Sequence, residues 1–153
     1  MVKHVGIKLP DDLYTVLLSE KTSAIMATFS EKGVPHTTPI QWIYPIGQES
    51  VLLTIQKDHE GYQNMVWQKK VMLNFLDAPN IAYSVLGRAG VVRAPSTVHP
   101  LMNVVRIDII EIKSDRSPVI TIDAGVRWSY VSPEAQELGD ALMNELKELS
   151  RTL

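Results

Sequence analysis

Hydrophobic and polar positions alternate along most of this chain, with helical spacing at three places. Behind Pro10 and the acids Asp11 and Asp12, Leu13, Val16 and Leu17 fall at i, i+3 and i+4, which predicts a short opening helix. From Ser23 to Ser30 the period drops to two, with Ile25, Ala27 and Phe29 on one face and Met26 and Thr28 on the other. Glu31-Lys32-Gly33 then reads as a hairpin turn. Its partner is predicted over Pro35–Tyr44, closed by a loop from Pro45 to Ser50 and followed by a third strand over Val51–Gln56, so that three successive strands form a meander. Asp58–Lys70 carries Tyr62, Met65, Val66 and Lys69 at helical spacing with Trp67 beside them, an inserted helix. Strands follow over Val71–Leu76, over Ile81–Arg93 with Gly87 and Gly90 marking bulges or a bend, and over Asn103–Lys113 with Val105, Ile107 and Ile109 on one side. Val119–Ile122 is expected to add a short strand. Ser132-Pro133-Glu134 is an N-cap, first position and first-turn acid for a final helix with Ala135, Leu138, Leu142, Leu146 and Leu149 on one face.

Six to seven antiparallel strands with one helix before, one inserted and one terminal predict a mainly β fold, a closed or nearly closed barrel, over an α/β sheet. No repeat, low-complexity tract or linker divides residues 1–153, so a single domain is expected. With 45% hydrophobic and 21% charged residues the chain is an ordinary globular one. Fifteen basic against seventeen acidic residues, scattered, give no footprint for nucleic acid. The absence of cysteine removes disulfides, thiolate metal sites and a cysteine nucleophile, and the histidines lack metal-ligand spacing. No apolar run approaches a membrane helix and the first ten residues lack a signal-peptide core, so a cytoplasmic protein is expected. Gly87-Arg88-Ala89-Gly90 lacks the setting of a dinucleotide loop, and no G-x-S-x-G elbow is present.

The run from Ser23 to Trp42, SAIMATFSEKGVPHTTPIQW, resembles the opening hairpin of the pyridoxamine 5'-phosphate oxidase-like split-barrel flavoproteins, where a phrase such as ATxxxDGxPHxTPVxF is common. The likeness continues through Leu52-Leu53-Thr54, Asn64-Met65 and the strand from Val85 through Gly87 and Ala89, and covers roughly residues 9–113. It implies a homodimer with FMN shared between subunits and a small-molecule redox substrate. By position, Thr38, Pro39, Ile40, Gln41 and Trp42 correspond to the strand along which the flavin ring lies. Thr54, Ile55, Lys57, His59, Tyr62 and Asn64 correspond to the phosphate grip. The oxidase carries an Arg near Thr38 and an Arg-Lys pair near Glu60-Gly61, so here the phosphate is left with Lys57, His59, hydroxyls and N–H groups at a helix start. The resemblance leaves three readings: an FMN-dependent oxidoreductase, a flavin-storing or sensing protein without turnover, or a split barrel that has lost FMN. Arg127 and Trp128 read either as a lid towards the flavin or as a packing pair.

Overall fold

The computed structural model describes residues 3–153. It begins with β1 (Lys3–Gly6), which has no clear alternation and pairs with the end of the last strand, Lys3 opposite Ser114. Helix α1 (Asp11–Leu18) buries Leu13 and Leu17 as the spacing predicts. Its Asp12 accepts the Tyr83 hydroxyl at 3.0 Å and pairs with Arg116, whose guanidinium lies over the Tyr83 ring. Burial, then the Asp12 hydrogen bond, pushes the Tyr83 hydroxyl up to about 12.

The expected hairpin is β2 (Ala24–Phe29) and β3 (Pro35–Ile40), in register from Ala24 opposite Ile40 to Phe29 opposite Pro35. Gly33, at φ +77°, makes the turn, held by the Ser30 N–H to the Val34 carbonyl at 2.9 Å. Met26 and Thr28 point into the core, and the Ile25–Ala27–Phe29 face points outward.

The strand expected over Pro35–Tyr44 is in fact two. β3 stops at Ile40, Gln41 and Trp42 lead away, and β4 (Ile43–Ile46) takes in Pro45, which was expected in a loop. β4 pairs with β5 (Ser50–Gln56), so there is no three-strand meander: β3 pairs with β2, while β5 lies between β4 and β8. Helix α2 (Glu60–Gln68), β6 (Lys70–Asp77), β7 (Ile81–Arg93), β8 (Met102–Ser114) and α3 (Pro133–Ser150) complete the chain. The antiparallel order β3-β2-β6-β7-β8-β5-β4, with β1 added on β8, makes eight strands where six to seven were expected. Strands β3 and β4 are neighbours in the chain yet end the order, so the short Gln41–Trp42 link curls the sheet into a barrel. At the resulting seam the Thr54 N–H donates to the Trp42 carbonyl at 3.0 Å. Pro39 and Pro45 both sit on these terminal strands, where a missing N–H interrupts the fewest ladder bonds.

One expected bulge is found at Leu86/Gly87; the other lies at Val91/Arg93, just beyond Gly90. Val119–Ile122 is not a strand. It is tied instead to the turn before β7, the Asn80 N–H donating to the Ile122 carbonyl at 2.9 Å and the Ile122 N–H to the Asn80 side chain at 3.0 Å.

Two apolar clusters divide the molecule. Val51, Leu53, Val105 and Ile107 face the barrel interior, where α1 adds Leu13 and Leu17 and α2 adds Met65. Leu52 and Val104, on the opposite face of the same strands, pack against Leu146 and Met143 of α3. The leucine stripe of α3 is therefore largely used within the chain. Val66, on the expected stripe of α2, and Trp67 beside it are exposed. Glu145 pins α3 down: its buried carboxylate accepts hydrogen bonds from Arg93, the Ser96 hydroxyl, and the Thr97 N–H and hydroxyl. Burial pushes its carboxyl up, but these donors together outweigh burial and hold it below the usual range.

Candidate functional site

Helix α2 starts beside the seam. His59 is its N-cap, with Nδ1 accepting the Gly61 N–H at 3.1 Å, so His59 is committed as an acceptor at that nitrogen. From β3, His36 and Thr38 share the inward face and meet this first turn. The His36 ring lies 5.8 Å from that of His59, and His36 Nδ1 lies 3.5 Å from the Glu60 carboxylate. Asn64, one turn on, donates to the Thr28 hydroxyl of β2 at 3.1 Å.

Three buried polar atoms have no partner among the described residues: His36 Nε2 and Thr38 Oγ1 on the inward face of β3, and Thr54 Oγ1 on the opposite face of β5. Buried polar groups are nearly always paired, so the two orphans that share one face of β3 mark either a ligand's place or bound water. Thr38 has a particular neighbour. A Cβ at Gly61 would lie 2.5 Å from Thr38 Oγ1, so α2 approaches β3 too closely for any side chain at position 61. Thr38 and Gly61 are in contact, so what either position can carry depends on the other.

Of the residues expected at the flavin, Thr38, His59, Tyr62 and Asn64 converge on the first turns of α2. Thr54 lies on β5 at the seam, facing away from the interior. Ile40 and Ile55 place their side chains in the interior core, leaving only backbone for a ligand. Pro39 is exposed on the outer face of β3, and Gln41 is half-buried in the link. Lys57 is exposed after β5, its N–H donating to the Leu101 carbonyl and its ammonium making no ion pair among the described residues. Trp42 turns to the α3 side, where it packs with the second cluster. His36, which is not among the residues expected at the flavin, joins them through its parity with Thr38 on β3.

The residues present fit FMN in part. The unpartnered hydroxyls, the free Lys57 and the β3 backbone suit a polar planar ligand. The phosphate, however, would meet the Glu60 carboxylate at the helix start and a Gly61 N–H already bonded to His59. Among the described residues no group of His, Asp and Glu is arranged to hold a metal, and no helix is long and apolar enough to cross a membrane.

An antiparallel sheet curled at a β3–β5 seam, with helices covering its interior, defines a split β-barrel. The chain belongs to the pyridoxamine 5'-phosphate oxidase family, whose sequence profile matches residues 11–124. Similar solved structures include a pyridoxamine 5'-phosphate oxidase-like protein of Lactobacillus delbrueckii, 22% identical over 72% of this chain and 98% of that one, with a TM-score of 0.61. HupZ of Group A Streptococcus is 17% identical over 76% of this chain and 100% of that one, at 0.60. HutZ, a heme storage protein of Vibrio cholerae, is 10% identical over 68% and 93%, at 0.54. At these identities the likeness shows the fold. No curated protein matches the chain significantly.

Proposed function

We propose that the protein is a homodimeric FMN-dependent oxidoreductase acting on a small redox-active molecule, with the flavin held at the β3–β5 seam. The observation that carries this reading is the pair of buried polar atoms without partners on the inward face of β3, His36 Nε2 and Thr38 Oγ1, at the start of α2, a helix that Lys57 precedes by three residues. The backbone of residues 38–42 would meet the polar edge of the ring system, and Lys57 and His59 would meet the phosphate. Bound FMN would supply the electron transfer, so no acid–base pair is required of the protein. The outward apolar face of β2, with Ile25 and Phe29 exposed in the single chain, supports burial against a second copy.

A second reading has its own observation. The Thr38–Gly61 contact and the Glu60 carboxylate beside His36 both disfavour a phosphate at the start of α2, which fits a split barrel holding a planar cofactor without a phosphate, as a heme storage protein of this fold does. The test is the visible spectrum of the purified protein, alone and titrated with FMN and with heme. Flavin bands that survive desalting, with bleaching by NADH or NADPH, uphold the first reading. A heme spectrum with no quenching of FMN fluorescence upholds the second and removes the first.

A further inference from the structure

The family match ends at residue 124, and the C-terminal part of the chain builds something the barrel alone lacks. Residues 123–130 run as an extended strap from the end of β6 to α3, bounding with them a half-open cavity of about 1050 Å³. That is just above the roughly 300–1,000 Å³ typical of small-molecule sites. Trp42 is the single residue of the expected flavin set that lines it.

The strap is fixed at three points. A Cβ on Gly125 would lie 2.5 Å from the Leu76 carbonyl, so only glycine lets the strap lie against the end of β6. The Trp128 indole N–H donates to the Ser23 hydroxyl at 2.9 Å. The Tyr130 phenol accepts the Trp42 indole N–H at 3.3 Å and fills the space over Gly139 of α3, where a Cβ would lie 2.1 Å from its hydroxyl. Trp128 meets Tyr130 edge-on at 5.2 Å between ring centres.

These bonds decide what the walls can still offer. Both indole N–H groups are committed inside the protein, so Trp42 and Trp128 present apolar ring surface to an occupant, which suits a planar aromatic ring. Among the charged groups of the lining, Lys147 is paired with Glu20 at 3.4 Å, and Asp77 accepts from Thr22 and from the Ala78 N–H. Lys21, Arg127, Asp123 and Asp140 are exposed residues bordering the cavity, and their side chains make no hydrogen bond or ion pair among the described residues. Charges of both signs are thus open beside aromatic walls.

We propose that this cavity is a binding site, separate from the barrel seam, for an aromatic zwitterion: a planar ring with one acidic and one basic substituent. The proposal does not depend on flavin binding, and its test uses the full chain with no flavin added. Calorimetric titration with tryptophan, tryptamine and indole-3-propionate probes the ring with both charges, with the cation alone and with the anion alone. The expected result is a Kd of about 1 mM or tighter for tryptophan, and about tenfold weaker binding when either charge is missing. Trp128→Ala, and separately the exposed-residue variants Arg127→Gln and Asp140→Asn, should weaken tryptophan by fivefold or more on the order set by one lost contact. Trp67→Ala, on the exposed side of α2, should leave it unchanged. Because Arg127 and Asp140 make no internal bonds, their variants remain folded and keep the test decisive. Absence of binding for all three probes overturns the proposal, as does equal affinity for all three or binding indifferent to residues 127, 128 and 140.

Discussion

Replacing Gly61 by lysine returns a cation to the start of α2 and places a Cβ 2.5 Å from Thr38 Oγ1. The atom it strikes belongs to a β-branched side chain on a paired strand, which has little rotamer freedom with which to yield. Helix or strand must therefore shift, and overpacking of this kind costs about 1–3 kcal/mol. The better helix propensity of lysine, worth roughly 0.5–1 kcal/mol, is offset by a cation at a helix N-terminus, which costs about 0.3–1 kcal/mol. Steric strain is left to decide the sign. Thr38→Ala removes the oxygen, and the next atoms a Cβ at 61 meets, the Met26 methyl and the position 38 Cβ, are at an ordinary 3.4 Å. Alone, Thr38→Ala is close to neutral, because an unpartnered buried hydroxyl costs about 1–3 kcal/mol and the lost methyl contributed about 1 kcal/mol. The double variant should recover about 1–2 kcal/mol over the sum of the single changes, read from urea unfolding of all four proteins. If the phosphate lies at this helix start, the double variant also gains roughly ten- to a hundredfold in FMN affinity over Thr38→Ala alone by fluorescence quenching, with no such gain for riboflavin. Stabilities that add to within about 0.3 kcal/mol would refute the claim that positions 38 and 61 exclude one another.

Lys57→Ala should weaken FMN by roughly ten- to a hundredfold and leave riboflavin alone; equal loss for both flavins would point to disturbed folding, and no loss would remove Lys57 from the site. Glu145, held below the usual carboxylate range, contributes stability that is present above about pH 4.3 and is lost as pH falls through its lowered folded value. Glu145→Gln should lower the urea midpoint at pH 7 and flatten its decline towards pH 3, and an unchanged pH profile would show that the carboxylate does not anchor α3. In dilute solution, sedimentation should give twice the chain mass, and Ile25→Lys with Phe29→Lys should give a folded monomer; a wild-type monomer at micromolar concentration would sink the shared-site reading.

Local chemistry in the sequence was sufficient for the elements that close on themselves. The Gly33 turn, the alternation on either side of it, the acids after Pro10 and the Ser132-Pro133 cap each act within a few residues, and each appears where those residues predict it. The hairpin phrase and the inserted helix also pointed to the family, because they depend on the same short range. The break at Gln41–Trp42 did not show, since β-prone residues run unbroken from Pro35 to Tyr44 and nothing local distinguishes one strand from two. That break is imposed from far away: β5, itself held by β8, offers Ile43–Ile46 a ladder at the opposite end of the order, and closing the barrel there turns Trp42 towards α3. For the same reason Val119–Ile122 failed as a strand despite its β-branched residues, because the side chain and backbone of Asn80 satisfy its polar groups first. The glycines at 61, 125 and 139 have meaning only through what stands opposite them, Thr38, Leu76 and Tyr130, and that opposition exists only once the chain is folded. Periodicity along a chain reports which face of an element is apolar; it does not report which distant residue that face will meet, and both the seam and the strap cavity are made of such meetings.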